Sequence, residues 1–260
     1  MADILALLSI GLQGASMNIL VLQHARVEHP GVFRYFFAGD GHTLKTVELD
    51  EGETIPNDLS AFDMMLVMGG PQDTWQEDRY PWLVAEKAAI RRYVADMGRP
   101  YLGLCLGHQL LADALGGRVA KAAEAEVGVM TVSLTADGAA DPLMAGLPDP
   151  LTVLQWHGAE VAEVPPGATV LATSPRCAVQ AFRYGRHAYG LQCHVECEAT
   201  TVADWAAIPA YARALETAMG EGAVGRLSEE VAGRLPEFNR NARLLYDNLM
   251  RETGTSTIFG

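Results

Sequence analysis

The first half of the chain alternates between short apolar runs and stretches with apolar residues at helical spacing. Four short apolar runs are typical of buried parallel strands; they are residues 18–23, 42–49, 63–68 and 99–105. Helical spacing predicts a helix over residues 81–94 and another over 107–115, where Gly116 and Gly117 end it. Strands that alternate with helices in this way predict an α/β fold with a doubly wound, mostly parallel sheet.

The second half of the chain changes to consecutive strands and then to helices. Five strands are predicted between prolines and glycines, over residues 127–134, 151–155, 169–173, 178–184 and 188–194. Three Ala-rich and Leu-rich helices follow, over residues 201–219, 226–235 and 237–251. We therefore expect an N-terminal extension (1–16), a main domain (17–200), a C-terminal helical extension packed on it (201–252) and a flexible tail (253–260).

The N-terminal extension bears on where translation starts. It carries an apolar stretch from Ile4 to Ile10, but no Lys or Arg precedes Arg26, so it lacks the basic region of a secretory signal. Either Met1 or Met17 could be the first residue of the protein. No apolar run is long enough for a transmembrane helix, so we expect no association with a membrane.

Charge and cysteine content narrow the function classes. The formal net charge is −13, from 32 acidic and 19 basic residues. Such a surface repels nucleic acid, which binds clustered Lys and Arg, so nucleic-acid binding is not expected. The chain of 260 residues has 4 cysteines, too few for a disulfide framework. We therefore expect a cytoplasmic protein in a reducing compartment.

The strongest chemical signal is Gly103-Leu104-Cys105-Leu106-Gly107. A nucleophile between a strand and a helix, with glycine two residues before and after it, forms the nucleophile-elbow pattern, here with Cys in place of Ser. The tight turn strains its central residue and leaves no room for side chains two positions away. The start of a helix also favours a thiolate. Cys105 is the candidate nucleophile, and a buried structural cysteine is the alternative interpretation.

A candidate base lies in His194-Val195-Glu196. Residues two apart on an extended strand face the same side, so the Glu196 carboxylate can orient the His194 imidazole as the third member of a triad does. The same alternation turns Cys193 and Cys197 to the opposite face. A zinc site that combines both cysteines with His194 and Glu196 is therefore not expected, and we predict no metal and no cofactor.

Consecutive glycines follow the strand predicted over residues 63–68. Backbone N–H groups in the loop Met68-Gly69-Gly70-Pro71 can point at a developing oxyanion, although an ordinary turn is the simpler interpretation of this loop alone. Reactive groups in doubly wound sheets gather at the carboxyl ends of the strands. We therefore expect this loop near Cys105 and His194.

These three signals together resemble the class I, triad-type glutamine amidotransferases, in particular the amidotransferase domain of GMP synthase and its free-standing relatives. The matching stretches, in the family's order, are MGGPQDTW (68–75), YLGLCLGHQLLADALGG (101–117), EVG (126–128), WHG (156–158) and LQCHVE (191–196). The resemblance covers roughly residues 17–200. It implies a flavodoxin-like sheet with helices on both faces, to which this chain adds C-terminal helices.

The resemblance also implies a catalytic role for each matching residue. Cys105 would attack the γ-carboxamide of glutamine and form a γ-glutamyl thioester that water then cleaves. His194 would shuttle the proton, and Glu196 would hold His194. The backbone N–H groups of Gly70 and Leu106 would form the oxyanion hole.

Three further residues are assigned to the substrate by the same resemblance. Gln109 would help to hold its α-amino-acid end, His157 lies in the segment used near its α-carboxylate, and Gly69 is placed in the substrate site. His108 is a rival base because it is close to Cys105 in sequence. We expect it to pack on the elbow helix, since the family pattern places no chemistry there.

Departures from the family pattern leave the reaction partner open. Cys193 and Val195 stand where the family usually has Phe and Pro, and Ala159, followed by Glu160, stands where Asp commonly follows His-Gly. Nothing after Thr200 resembles an ATP-pyrophosphatase. We favour an enzyme that hydrolyses glutamine, γ-glutamyl amides or γ-glutamyl peptides on its own. The alternative is the glutaminase subunit of a two-component amidotransferase that delivers ammonia to a separate synthase.

Two hypotheses from other classes remain. An ester or lactone hydrolase with a Cys elbow would place its acid between the nucleophile and the His, whereas Glu196 follows His194. An inactive binding protein would have no need of Cys105. The expected partner is a small-molecule γ-glutamyl substrate, and a synthase subunit or a second copy of the chain is left open.

Overall fold

A computed structural model describes residues 15–254 of the chain, which lie in nine strands, seven α-helices and the segments between them. The strands are β1 (Asn18–Gln23), β2 (Thr43–Glu48), β3 (Met64–Val67), β4 (Tyr101–Leu104), β5 (Arg118–Leu134), β6 (Leu151–Glu163), β7 (Ala168–Thr173), β8 (Ala181–Tyr184) and β9 (Ala188–Leu191). The helices are α1 (Phe33–Gly39), α2 (Trp82–Arg91), α3 (Leu106–Ala114), α4 (Ala136–Ala140), α5 (Thr201–Ala206), α6 (Pro209–Met219) and α7 (Ala223–Gly254). Most of the expected N-terminal extension (1–16) and flexible tail (253–260) falls outside the described residues.

The strands form one sheet in the order β2-β1-β3-β4-β9-β8-β7-β5-β6. The first five pair in parallel, and the remaining neighbours pair antiparallel. The predicted α/β class, a flavodoxin-like doubly wound sheet with additional C-terminal helices, is confirmed. The antiparallel half follows from the consecutive strands of the second half of the chain, which lack the crossover helices that parallel neighbours need.

Alternate residues of the central strands enter two separate cores. On β1, Ile19 and Val21 belong to the core on one face, whereas Leu20 and Leu22 belong to the core on the other. All four side chains are fully buried. A strand buried on both faces must be apolar throughout, which is why β1 reads as a continuous apolar run rather than an alternating one.

β5 and β6 are much longer than the sequence pattern predicts, and several other strands are shorter. β5 and β6 pair with each other far beyond the apolar segments predicted at 127–134 and 151–155, with an irregularity in register between Lys121 and Glu126. The added residues of β5 include charged side chains at exposed positions, so hydrophobicity alone does not reveal them. β8 begins at Ala181 rather than 178, and β9 ends at Leu191 rather than 194.

The C-terminal helices differ from the prediction at two prolines. The helix predicted over 201–219 is divided before Pro209, which occupies the first turn of α6, where its missing N–H costs no hydrogen bond. The helices predicted over 226–235 and 237–251 form one helix, α7, with Pro236 inside it. Packing of the apolar face of α7 outweighs the cost of an internal proline.

The C-terminal helices share their cores with the sheet. Leu245 and Tyr246 of α7 join the core that contains Ile19 and Val21. Trp205 of α5 and Tyr211 of α6 pack with Trp156 of β6 in a third cluster of buried side chains. Within residues 15–254, none of the helices combines the length and the apolar character required to cross a membrane.

Candidate active site

Cys105 lies in a strained turn between β4 and α3. Its φ and ψ are 50° and −102°, and it is the one non-glycine residue with positive φ among residues 15–254. A non-glycine residue in this conformation costs of order 1–3 kcal/mol, and the surrounding contacts must offset that cost. The N–H of Cys105 donates to the carbonyl of Leu191 at 2.8 Å, and that of Gly107 donates to the carbonyl of Met68 at 3.1 Å. The turn is thus tied to the ends of two neighbouring strands.

The glycines on either side of Cys105 are required by close approach of the backbone. A Cβ atom on Gly103 would lie 2.4 Å from the carbonyl oxygen of Gly107, and one on Gly107 would lie 2.1 Å from that of Val67. Both distances are far below van der Waals contact, and both contacted atoms belong to backbone. The elbow therefore forms only with glycine at both positions.

His194 and Glu196 lie next to each other, although not on a strand. The Nδ1–H of His194 donates to Oε1 of Glu196 at 2.6 Å, and the N–H of Val195 donates to Oε2 of Glu196 at 2.9 Å. The predicted strand over 188–194 ends at Leu191, and His194 forms only an isolated bridge with Leu154 of β6. Side-chain alternation along a strand is therefore not what brings this pair together.

The surroundings of His194 favour its protonated form. Burial alone would lower the pKa of His194, but the Glu196 carboxylate and the neighbouring Cys105 sulfur together raise it well above its ordinary value. The ring of Trp205 packs edge-on against the imidazole, with centroids 4.5 Å apart. A protonated imidazole between a carboxylate and a sulfur can stabilise a thiolate and later deliver a proton.

A cavity of about 90 Å³ opens beside the Cys105 side chain. Its lining comes from the glycine loop, the elbow, β6 and α6, and consists of Gly70, Pro71, Gln72, Asp73, Cys105, Leu106, Gln109, Trp156, His157, Gly158, Ala159 and Tyr211. The residues predicted for the oxyanion hole, Gly70 and Leu106, thus share one cavity with Cys105. The volume is well below that of a site for a drug-sized ligand, so the cavity fits the end of a small substrate.

Gln109 is connected to Cys105 through a second glutamine that the sequence motifs did not single out. The carboxamide of Gln192 donates to the Cys105 sulfur at 3.7 Å, and its oxygen accepts from Nε2 of Gln109 at 3.1 Å. Gln109 also donates to the carbonyl of Ala159 at 3.0 Å. Gln192 lies within LQCHVE (191–196), two residues before His194, so its position in a stretch that matches the family pattern is the sequence feature that could have marked it.

His157 lines the cavity, and both of its ring nitrogens are held within the protein. Nε2 lies 3.0 Å from Oε2 of Glu126, and Nδ1 lies 3.0 Å from the carbonyl oxygen of Ala159. Burial would raise the pKa of Glu126, but hydrogen bonds from His157 and Ser174 lower it. A substrate that binds a nitrogen of His157 must replace one of these partners, and the assignment of His157 to the substrate stays a prediction.

Gly69 lies next to the His194 ring and the Glu28 carboxylate. A Cβ atom there would be 3.3 Å from Cε1 of His194 and 2.5 Å from Oε2 of Glu28. The hydroxyl of Tyr211 donates to Oε1 of Glu28 at 2.5 Å, and burial raises the pKa of this carboxyl. Glu28, Trp205 and Tyr211 therefore belong to the surroundings of His194, although no sequence motif marks them.

The other cysteines are buried and free of disulfides. Burial raises the pKa of the Cys177 thiol to about 12 and raises those of Cys193 and Cys197 as well. Thiols of this kind remain protonated at neutral pH and are poor nucleophiles. Cys193 belongs to the core that contains Ile19 and Val21, whereas Cys197 belongs to the cluster with Trp205. The two side chains therefore face different parts of the protein.

One group of potential metal ligands occurs among residues 15–254, namely Glu126, His157 and Cys177. The Glu126 carboxylate already accepts hydrogen bonds from His157, Ser174 and Gln180. Coordination would require loss of the Cys177 proton, whose pKa is raised to about 12 by burial. Glu126 is better described as part of a hydrogen-bonded network with Ser174 and Gln180 that orients His157, and the Cys177 thiol contacts the Val179 carbonyl instead.

His108, the rival base, lies on the elbow helix α3 and has no exposed surface. Its ring packs on that of Phe182, with centroids 5.0 Å apart. Burial lowers the pKa of His108 to about 3, so this imidazole stays neutral at any pH at which the protein is expected to work.

The depressed pKa of His108 predicts a loss of stability in mild acid. The unfolded chain binds a proton at this position near pH 6.5, whereas the folded protein does not until about pH 3, so the contribution present above pH 6.5 is lost as the pH falls. Between pH 7 and pH 5 we expect His108 to lower the free energy of unfolding by about 2 kcal/mol. Urea unfolding of the wild type and a His108→Leu variant at both pH values measures this. An equal pH dependence in the two proteins would contradict it.

The glycine-flanked cysteine, the His–Glu pair and the glycine loop together form an arrangement that can carry out acyl transfer through a thiol. Comparison with known proteins gives the family. The family model "Glutamine amidotransferase class-I" matches residues 37–204. The chain belongs to the class-I glutamine amidotransferase family, and the resemblance seen in the motifs is confirmed.

Three curated relatives illustrate the range of this family. The chain is 36% identical over 183 residues to the glutamine amidotransferase-like protein YfeJ of Salmonella typhimurium, covering 69% of this chain and 76% of that one. It is 31% identical over 170 residues to gamma-glutamyl peptidase 5 of Arabidopsis thaliana, covering 64% and 66%. It is 37% identical over 152 residues to a glutamine-hydrolyzing GMP synthase subunit of Halobacterium salinarum, covering 58% and 75%.

Solved structures extend the similarity beyond the family model. A glutamine amidotransferase of Thermotoga maritima superposes with a TM-score of 0.80 at 28% identity, covering 91% of this chain and 98% of that one. Because the match covers so much of this chain, it reaches into the C-terminal helices that follow residue 204. These helices are therefore part of an architecture that the two proteins have in common.

Proposed function

We propose that this protein hydrolyses the γ-amide bond of a γ-glutamyl compound, with Cys105 as nucleophile, His194 as acid and base, and Glu196 as the group that holds His194. The observation that carries the proposal is the strained Cys105 at the cavity, beside an imidazole that Glu196 and the sulfur favour in its protonated form. The substrate is glutamine, a γ-glutamyl amide or a γ-glutamyl peptide.

In the first half of the reaction, the Cys105 thiolate attacks the γ-carbonyl carbon, and a C–S bond forms. The carbonyl oxygen becomes an oxyanion that accepts hydrogen bonds from the N–H groups of Gly70 and Leu106. His194 then gives its proton to the departing nitrogen, the C–N bond breaks, and ammonia or an amine leaves. A γ-glutamyl thioester remains on Cys105.

In the second half, His194 removes a proton from water, and the resulting hydroxide attacks the thioester carbon. The oxyanion forms again in the same place, and the C–S bond breaks, which releases the γ-carboxylic acid and restores the Cys105 thiolate beside a protonated His194. The acid then loses its proton to water and becomes the γ-carboxylate. Glu196 keeps the imidazole in one orientation through both halves, because its two oxygens are fixed by His194 and by the N–H of Val195. We propose Gln109 as a contact to the α-amino-acid end of the substrate.

The C-terminal helices favour an enzyme that works on its own. Tyr211 of α6 lines the cavity, and Trp205 of α5 packs on the His194 ring, so the chain covers its own site. We propose that residues 17–200 form the amidotransferase domain and that residues 201–252 are an extension that contributes to the site. The similarity to gamma-glutamyl peptidase 5 also favours an enzyme that works on its own.

The second candidate is the glutaminase subunit of a two-component amidotransferase. It is favoured by the 37% identity to a GMP synthase subunit from Halobacterium salinarum. In that case the ammonia released at Cys105 would pass to a separate synthase. The chemistry at Cys105 is the same for both candidates, and only the fate of the amine differs.

Steady-state assays separate the two candidates. We expect the purified protein to release glutamate from γ-glutamyl peptides or amides without any added component, with Cys105→Ala as the inactive control. Glutamine hydrolysis that begins only when cell extract is added would favour the subunit of a two-component enzyme. No release from any γ-glutamyl compound, with or without extract, would contradict the proposed reaction.

A further inference from the structure

A second buried pair of ionisable side chains lies behind the glycine loop, and the proposed reaction does not use it. His24 follows the end of β1, and Glu86 lies on α2; neither side chain has any exposed surface. The distance from Nε2 of His24 to Oε1 of Glu86 is 2.8 Å. Burial of two ionisable groups costs desolvation free energy, which their pairing and hydrogen bonds must offset. The contacts that His24 makes therefore indicate what the pair contributes.

The other nitrogen of His24 contacts the backbone of the glycine loop. Nδ1 of His24 lies 2.9 Å from the carbonyl oxygen of Gly69. A carbonyl oxygen only accepts, so Nδ1 must carry the proton and donate it. Because this carbonyl belongs to the peptide bond between Gly69 and Gly70, His24 holds the peptide that also carries the N–H of Gly70.

The geometry of a trans peptide then fixes the direction of that N–H. The C=O and N–H groups of a planar trans peptide point in opposite directions. With the carbonyl of Gly69 turned toward His24, the N–H of Gly70 points away from His24. Gly70 lines the cavity beside Cys105. The hydrogen bond to His24 therefore selects the peptide orientation that an oxyanion-hole donor needs.

Two glycines in sequence make such an anchor necessary. A peptide between glycines can turn over at little steric cost, because neither residue has a Cβ atom. The turned-over state would place the carbonyl oxygen of Gly69 where a negative charge develops. Two further contacts hold the loop against His24: Nε2 of Gln72 donates to the carbonyl of His24 at 3.1 Å, and Gly70 lies against the His24 side chain, where a Cβ would be 2.7 Å from that of His24.

Glu86 and Trp82 in turn hold the imidazole. The Trp82 ring stacks on His24, with centroids 5.4 Å apart and an angle of 19° between the planes. Burial alone would lower the pKa of His24, but the Glu86 carboxylate, with smaller help from the Gly69 carbonyl and Glu28, raises it. Both ring nitrogens of His24 can therefore donate at once, one to Glu86 and the other to Gly69.

We propose that His24, oriented by Glu86, is a positioning residue that holds the Gly69–Gly70 peptide with the N–H of Gly70 directed at the oxyanion. This proposal rests on the proposed function, because it assumes that an oxyanion forms at Cys105. It predicts a loss in the rate of the chemical step rather than in substrate binding, since the ground-state carbonyl depends less on this donor than the oxyanion does.

A matched pair of substitutions at position 24 tests the proposal. The carboxamide nitrogen of Asn can replace Nδ1 of His, so His24→Asn keeps the donor to Gly69 and loses the one to Glu86. The nitrogen of Gln can replace Nε2, so His24→Gln keeps the donor to Glu86 and loses the one to Gly69. With γ-glutamyl 4-nitroanilide as the probe, we expect kcat of His24→Gln to fall about 10²–10³-fold with KM within about twofold of wild type, and His24→Asn to recover most of that loss.

Stability and crystal structures of the two variants complete the test. Each variant leaves one buried acceptor without its partner, so we expect similar decreases in Tm. Equal losses of kcat in both variants would show a merely structural role and would overturn the proposal. If no γ-glutamyl compound is a substrate, the proposed function is wrong. The crystal structures still test the role of His24 in that case. A turned-over Gly69–Gly70 peptide in His24→Gln alone supports the proposal, and the native orientation in both variants overturns it.

Discussion

Replacement of Cys105 by alanine is expected to lower kcat for γ-glutamyl substrates by at least about 10⁴-fold, because no other group can form the thioester. Alanine retains the Cβ atom and therefore the same backbone strain at φ 50°. The variant should fold as the wild type does, so the loss is chemical rather than structural. Release of glutamate under steady-state conditions measures the change.

Cys177→Ser provides the matched control. Cys177 is also buried, and its Sγ lies 3.5 Å from the carbonyl oxygen of Val179, a hydrogen bond that serine can keep. We expect this variant to retain activity within about twofold of wild type. If Cys105→Ala retained activity within tenfold of wild type, or if Cys177→Ser lost it, the assignment of the nucleophile would be wrong.

Replacement of Glu196 by glutamine is expected to lower kcat by about 10³–10⁴-fold while the fold is kept, as in other triads that lose the charge on the third member. The carboxylate now accepts from both His194 and the N–H of Val195. A carboxamide has one acceptor oxygen, so one of these contacts must be lost or replaced by a repulsive N–H. His194 then lacks a fixed orientation and a partner for its positive charge.

The pH profile of the Glu196→Gln variant gives an independent measure. Burial lowers the pKa of His194, and the Glu196 charge is the largest influence that raises it. With that charge removed, the pKa of His194 falls, and the proton needed by the departing amine is lost at lower pH. The alkaline limb of kcat/KM should therefore shift toward lower pH. An unchanged alkaline limb would mean that Glu196 does not act on His194.

The parallel half of the sheet could be predicted from the sequence because burial on both faces leaves a simple signal. β1, β3 and β4 each lie between two neighbouring strands in the parallel half of the sheet, and most of their residues are apolar and buried on both faces. The antiparallel pair of β5 and β6 extends to exposed edges where charged residues alternate with small ones, so the apolar pattern predicts strands that are too short. At Pro236, local propensity favoured a break, and tertiary packing kept the helix continuous.

The pairing of His194 with Glu196 shows how a correct expectation of proximity can rest on the wrong structural reason. The prediction assumed that a strand carries both residues, whereas β9 ends at Leu191. The chain beyond that point is held by backbone bonds between His194 and Leu154, and the Glu196 carboxylate turns back to Val195. Spacing of two residues allowed the contact, but tertiary contacts made it.

Residues that act from a distance in sequence could not be found by motif. His24 and Glu86 are separated by 62 positions, and Glu28 and Tyr211 by 183, so each pair becomes visible only when the fold brings it together. A lone His after a strand or a Tyr on an amphipathic helix is ordinary in any sequence. Only their burial and their position around the glycine loop and His194 identify them as part of the site.

The most direct test of Cys105 as the nucleophile of a γ-glutamyl site is mass spectrometry of the protein after treatment with a glutamine-mimicking chloroketone. We predict one adduct per chain, located on Cys105, and slower labelling when a γ-glutamyl substrate is present. The Cys105→Ala variant should remain unlabelled under the same conditions. Labelling at Cys177 or Cys193 instead of Cys105, or labelling of Cys105 that no γ-glutamyl compound slows, would contradict the claim that Cys105 is the nucleophile of a γ-glutamyl site.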